Sequence, residues 1–159
     1  QCVGNAQLCL GRAAGEHELL PGAQEPVELA LAHQRELGAG DDLRATGRDP
    51  DASVIWMHGL GDTGQGWSQV VPELGLPPAL SVRFVFPHAP SMPVTINQGY
   101  VMPAWYDIRA ADLTSRADLT GVGASRTRIE AMIAAERARG VAASRIVLAG
   151  FSQGGAVAY

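Results

Sequence analysis

The sequence predicts an α/β fold, a mostly parallel sheet covered by helices on both faces. Short apolar runs without polar alternation recur at residues 54–58, 82–86 and 146–149, as expected of strands buried on both sides. Helix-like stretches separate these runs, the pattern of strand–helix–strand units. The last run leads straight into Gly150-Phe151-Ser152-Gln153-Gly154-Gly155, which reads as a sharp strand-to-helix turn.

The elements follow in chain order. Residues 1–52 read as an extension of uncertain structure, and residues 53–159 as the α/β domain. Residues 1–53 contain no Phe, Trp, Tyr, Ile or Met, so they are expected to add little core. One helix is predicted over 26–37, with Gly38 just past its end. Val54-Ile55-Trp56-Met57-His58 is a buried strand that enters a tight turn at Gly59-Leu60-Gly61-Asp62. A helix is predicted over 67–74, stopped by Gly75 and Pro77-Pro78. Val82-Arg83-Phe84-Val85-Phe86 is the next strand, closed by Pro87-His88-Ala89-Pro90, and residues 91–115 read as irregular. A long helix is predicted over 117–139, with Ile129, Met132 and Ile133 on one face and Gly140 as its stop. Residues 146–149 form a third strand, and a last helix opens after Ser152.

Composition narrows the function classes. The 159 residues suffice for one ordinary domain with a core. A formal net charge of -4 gives no basic field, which argues against nucleic acid as a partner. All twelve basic residues are Arg, read as codon bias rather than chemistry. Cys2 and Cys9 have no zinc-type spacing and suggest no disulfide framework, which fits a reducing, cytoplasmic setting. No run reaches membrane-spanning length, and no signal peptide is visible. The first Met is Met57. With the abrupt end after Tyr159, this reads as a partial sequence.

Two motifs carry chemistry. In G-x-S-x-G the glycines let the backbone pass closely enough to lift the serine hydroxyl clear of the sheet, as a nucleophile elbow does. Acyl transfer also needs two N–H donors aimed at the developing oxyanion. The residue after the nucleophile, Gln153, supplies one, and Leu60 in His58-Gly59-Leu60-Gly61 is placed to supply the other. His58 precedes a glycine turn at a strand end and reads as structural, its ring satisfied by backbone groups. The same turn matches G-x-G-x-x-G through Gly59, Gly61 and Gly64, which would suit a dinucleotide-binding oxidoreductase. That reading needs an acid about 20 residues on to hold the ribose. The stretch from Arg83 to His88 has none.

Four motifs in order resemble a known family: His58-Gly59-Leu60-Gly61-Asp62, Phe86-Pro87-His88-Ala89-Pro90, Trp105-Tyr106-Asp107 and the elbow. Their order and spacing are similar to those of the acyl-protein thioesterase, carboxylesterase and phospholipase family of small α/β-hydrolases. The resemblance implies that the chain is the N-terminal portion of that fold, ending just after the nucleophile elbow. It makes Ser152 the nucleophile and Leu60 and Gln153 the backbone oxyanion donors. Trp105 and Tyr106 are expected near the acyl-binding surface. The implied substrates are small acyl esters, lysophospholipids or S-acylated proteins, with no metal or cofactor, and the resemblance allows a homodimer.

The family's acid and base lie on later strand ends and match no residue here. His88 reads as a loop-shaping residue and Asp107 as an anchor of its own loop, while His17 and His33 are expected at the surface. Arg126, Arg128, Arg137 and Arg139 read as the solvated face of the long helix. Without its base, the chain as it stands is expected to be inactive. The missing later strands are expected to leave an exposed, aggregation-prone edge beside the elbow strand. A non-catalytic acyl- or lipid-binding module is the alternative from another class.

Overall fold

A computed structural model describes residues 2–3, 8–12, 42–46, 49–109 and 118–159. The helix expected at 26–37, and His17 and His33, lie outside the described residues.

The three apolar runs form the centre of one sheet. Strand β4 (Ala52–Met57) lies between β5 (Val82–Phe86) and β8 (Ile146–Phe151) and is parallel to both. Side chains alternate across it. Ile55 and Met57 face one apolar cluster with Trp105, Ile129, Met132 and Leu148. Trp56 faces the other, with Val71, Phe84 and Phe86. Burial on both faces is why these strands carry no polar alternation.

The flanks of the sheet differ from expectation. Strand β3 (Asp42–Ala45) pairs antiparallel with β5, and β2 (Leu8–Arg12) pairs antiparallel with β8, with β1 (Cys2–Val3) outside it. The order is β1-β2-β8-β4-β5-β3. Part of the segment expected to be an extension of uncertain structure therefore adds backbone to the sheet. An outer strand is held by main-chain hydrogen bonds and needs no large side chains, so composition did not reveal it. The edge of β8, expected to be bare, carries β2.

The helices match the sequence less evenly. Helix α2 (Leu119–Ala138) lies within the range expected, capped by Asp118, whose Oδ1 accepts from the Gly121 N–H at 3.1 Å. Gly140 follows it at φ 95°. Its buried face includes two polar groups. Glu136 accepts from Ser53 Oγ at 2.5 Å and from Arg83 Nε at 3.0 Å, tying the helix to β4 and β5. Ser125 donates to the Trp105 carbonyl. Helix α1 covers only Gly64–Ser68. Pro72 lacks an N–H, and its ring would meet the residue 68 carbonyl, so the predicted 67–74 helix breaks into a turn and a 3-10 segment, Pro72–Leu74.

The irregular stretch 91–115 contains a hairpin, β6 (Ser91–Val94) with β7 (Tyr100–Pro103). Pro93 and Pro103 hide it from a pattern search. Both are tolerated because every strand of a two-stranded sheet is an edge. Helix α3 (Gln153–Ala158) follows β8 directly.

Candidate active site

The site grows from the carboxyl ends of β4 and β8, which are paired as far as Met57 and Gly150. Immediately beyond, β8 turns into α3 at Ser152, whose backbone stands at φ 51°, ψ -116°. A non-glycine residue at positive φ is held there only by its surroundings. The turn is tight enough that a side chain at position 150 would overlap the Gly154 backbone. One at position 154 would overlap the carbonyls of Met57 and His58. The glycines on either side of the serine are thus a packing requirement, as the motif predicts. Ser152 itself is exposed.

The turn after β4 lies against this elbow. A Cβ placed on Gly59 would stand 3.6 Å from Ser152 Cβ and 3.1 Å from the Phe151 ring. Leu60 is the next residue along this turn. Gln153 opens α3, where a first-turn N–H has no intrahelical acceptor. Among the described residues no backbone carbonyl is bonded to the Leu60 N–H, whereas its neighbours Gly61 and Asp62 donate to Pro103 and Gly59. Gly64 is buried against the Phe86 carbonyl, so two glycines of the dinucleotide-like motif are consumed by packing.

His58 is fully buried. Its Nδ1 lies 2.7 Å from the Gly59 carbonyl, and its Nε2 accepts from the Ala89 N–H at 3.0 Å. This pairing makes Nδ1 the protonated nitrogen. Burial pushes its pKa below the ordinary histidine value, only partly opposed by the Gly59 bond. The ring is committed to the backbone and supports the turn. Asp62 accepts from the Thr63 N–H and from Trp67 Nε1, both at 2.8 Å, and so holds the same turn. Asp107 accepts from the Thr95 hydroxyl at 2.6 Å and the Thr95 N–H at 2.7 Å. These bonds hold its carboxyl below the usual range and fasten its loop to the hairpin.

Trp105 is 1% exposed and packs in the core, with its ring 5.2 Å from His58. Its indole N–H donates to the His58 carbonyl at 2.8 Å. Tyr106 is half-buried, and burial raises its phenol pKa. The sequence also missed the Gln153 side chain. Its Oε1 accepts from the Trp105 N–H at 2.9 Å, and its Nε2 donates to the Tyr106 carbonyl at 2.7 Å. No local signal marks this contact, because its partners lie 48 and 47 residues away along the chain. Among the described residues no group of His, Cys, Asp or Glu is arranged to hold a metal ion, and no helix is long and apolar enough to cross a membrane.

Residues 42–159 match the family model described as Phospholipase/Carboxylesterase, a match that begins ahead of the expected boundary at Ser53. Acyl-protein thioesterase 1 of Neurospora crassa is 46% identical over 112 residues, covering 67% of this chain and 46% of the relative. Acyl-protein thioesterase 1 of Yarrowia lipolytica is 46% identical over 108 residues, covering 67% and 48%. Among solved structures, acyl-protein thioesterase 2 of Zea mays is similar with TM-score 0.60 and 35% identity, over 74% of this chain and 48% of that one. Arabidopsis thaliana SOBER1 gives TM-score 0.63 and 31% identity, over 67% and 51%. The chain spans about half the length of the curated relatives it matches. With the elbow, the apposed glycine turn and a family match reaching from β3 to the last residue, the chain belongs to the phospholipase/carboxylesterase family of α/β-hydrolases.

Proposed function

We propose that this chain carries the nucleophile half of a serine hydrolase acting on carboxylic esters or thioesters. The observation that carries the reading is the placement of Ser152, exposed on a positive-φ turn with Gly59 against it. In this reading Ser152 Oγ attacks the acyl carbonyl carbon, and its proton passes to a base. The Leu60 and Gln153 N–H groups receive the negative charge that forms on the carbonyl oxygen. Collapse expels the alcohol or thiol with that proton and leaves an acyl-serine. Water then releases the acid and restores the hydroxyl.

Three groups of the site, His58, Asp62 and Asp107, are engaged elsewhere. His58 is bonded through both ring nitrogens, Asp62 holds its own turn, and Asp107 is taken up by Thr95. The proposal places the base and its orienting acid in the part of the relatives' length that this chain does not span. By itself the chain would retain only the contribution of its oxyanion donors and binding, roughly 10³–10⁴-fold over water. The names of the relatives favour acylated proteins as substrates.

The test is fluorophosphonate labelling of the protein expressed from its natural locus, read by intact mass and peptide mapping. One adduct on Ser152, absent from Ser152→Ala, is the expected result. A protein that takes no adduct while binding acyl chains would instead be an acyl-binding module.

A further inference from the structure

We propose that the Gln153 carboxamide and the Trp105 indole form a positioning relay that holds the Leu60 and Gln153 N–H groups at a fixed separation. The assignment rests on the serine-hydrolase reading above and names what keeps its oxyanion site in shape. The two donors come from different strands, and the described ladder between β4 and β8 stops at Met57 and Gly150. Leu60 and Gln153 lie past that point, so strand pairing does not fix them relative to each other.

The strap over residues 103–106 connects both sides. On the elbow side, the Gln153 carboxamide uses its acceptor on the Trp105 N–H and its donor on the Tyr106 carbonyl. On the turn side, the Trp105 indole donates to the His58 carbonyl, two residues ahead of Leu60, and the Gly61 N–H donates to the Pro103 carbonyl. Bonds from one segment, residues 103–106, therefore bracket Leu60 and hold Gln153. Gln153 is 4% exposed and Trp105 1%, so no solvent is at hand to replace a lost partner. Packing alone would be met by Met or Leu at 153 and by Phe at 105. The polar atoms are what the relay requires.

Gln153→Met keeps bulk, Trp105→Phe keeps a smaller aromatic ring, and each removes polar side-chain atoms of the relay. In the natural-locus protein, both variants should speed hydrogen exchange at residues 59–62. For Gln153→Met this is a response across the strand boundary, on the turn rather than on its own helix. Turnover of a p-nitrophenyl ester should fall by roughly 10²-fold in kcat with KM within about twofold of the parent. Gln153→Glu should recover part of that loss at acid pH, where a protonated carboxyl again donates to the Tyr106 carbonyl. A packing role would lower the melting temperature and leave kcat per folded molecule unchanged. That result, or unaltered exchange at 59–62 in a folded variant, overturns the proposal. If Gln153→Met fails to fold, Trp105→Phe carries the same two readouts. A parent that neither labels nor hydrolyses esters removes the serine-hydrolase reading, and the exchange data then decide the relay by themselves.

Discussion

At Ser152 the side chain sits at φ 51°, where L-residues are crowded by their own backbone. Such conformations cost on the order of 1–3 kcal/mol, and glycine escapes most of that cost. Ser152→Gly is therefore expected to be about 1 kcal/mol more stable than Ser152→Ala in urea unfolding; equal stabilities would show that the turn is unstrained. His58 gives a pH dependence. Its folded pKa lies below the unfolded value of about 6.5, so below that pH the unfolded chain binds the extra proton and stability falls. The contribution is complete above about pH 6.5 and is lost as pH drops toward the folded pKa. The melting temperature should fall more steeply between pH 7 and 5 for the parent than for His58→Gln, and parallel curves would refute this. The structural role of His58 was legible because a histidine between an apolar strand and a glycine turn has backbone groups at hand. The core position of Trp105 was not, because a motif gives chemistry and order but no depth.

Among the elements, the joint between α2 and the sheet depends on one carboxylate. Glu136 is 4% exposed and bonded to Ser53 and Arg83. Removing it leaves a largely enclosed guanidinium and a buried hydroxyl without side-chain partners among the described residues. Glu136→Ala should cost about 2–4 kcal/mol by denaturant titration, discounting the full penalty of a buried pair because Arg83 keeps 22% side-chain exposure. A cost under about 1 kcal/mol would place the joint's strength in apolar contacts instead. The central strands were readable because burial on both faces leaves a local record of consecutive apolar residues. Helix α2 was readable from its apolar face and its terminal glycine. Helix α1 was overread, because Pro72 acts on the turn before it. The hairpin and the flanking strands left little local trace, since their pairing is written in main-chain bonds to distant segments.

For the whole molecule, the α/β architecture and the location of the elbow were legible, while the antiparallel flanks were not. Those flanks matter for association. Strand β2 occupies the outer side of β8, and an uncovered strand edge invites pairing between molecules. Deleting residues 1–12 should raise the apparent mass with concentration in light scattering, relative to the full chain; an unchanged mass would mean that this side of β8 needs no cover. The pairing of β4 with β8 also sets a schedule. Residue 53 is joined to residue 146, and such distant contacts make for slow folding. At synthesis rates of about 5–20 residues per second, the nascent glycine turn is made on the order of 10 s before the strand leading into Ser152 arrives. Throughout that interval one side of β4 has no partner from β8, so a growing chain is open to misassembly just where the glycine turn and the elbow will later meet.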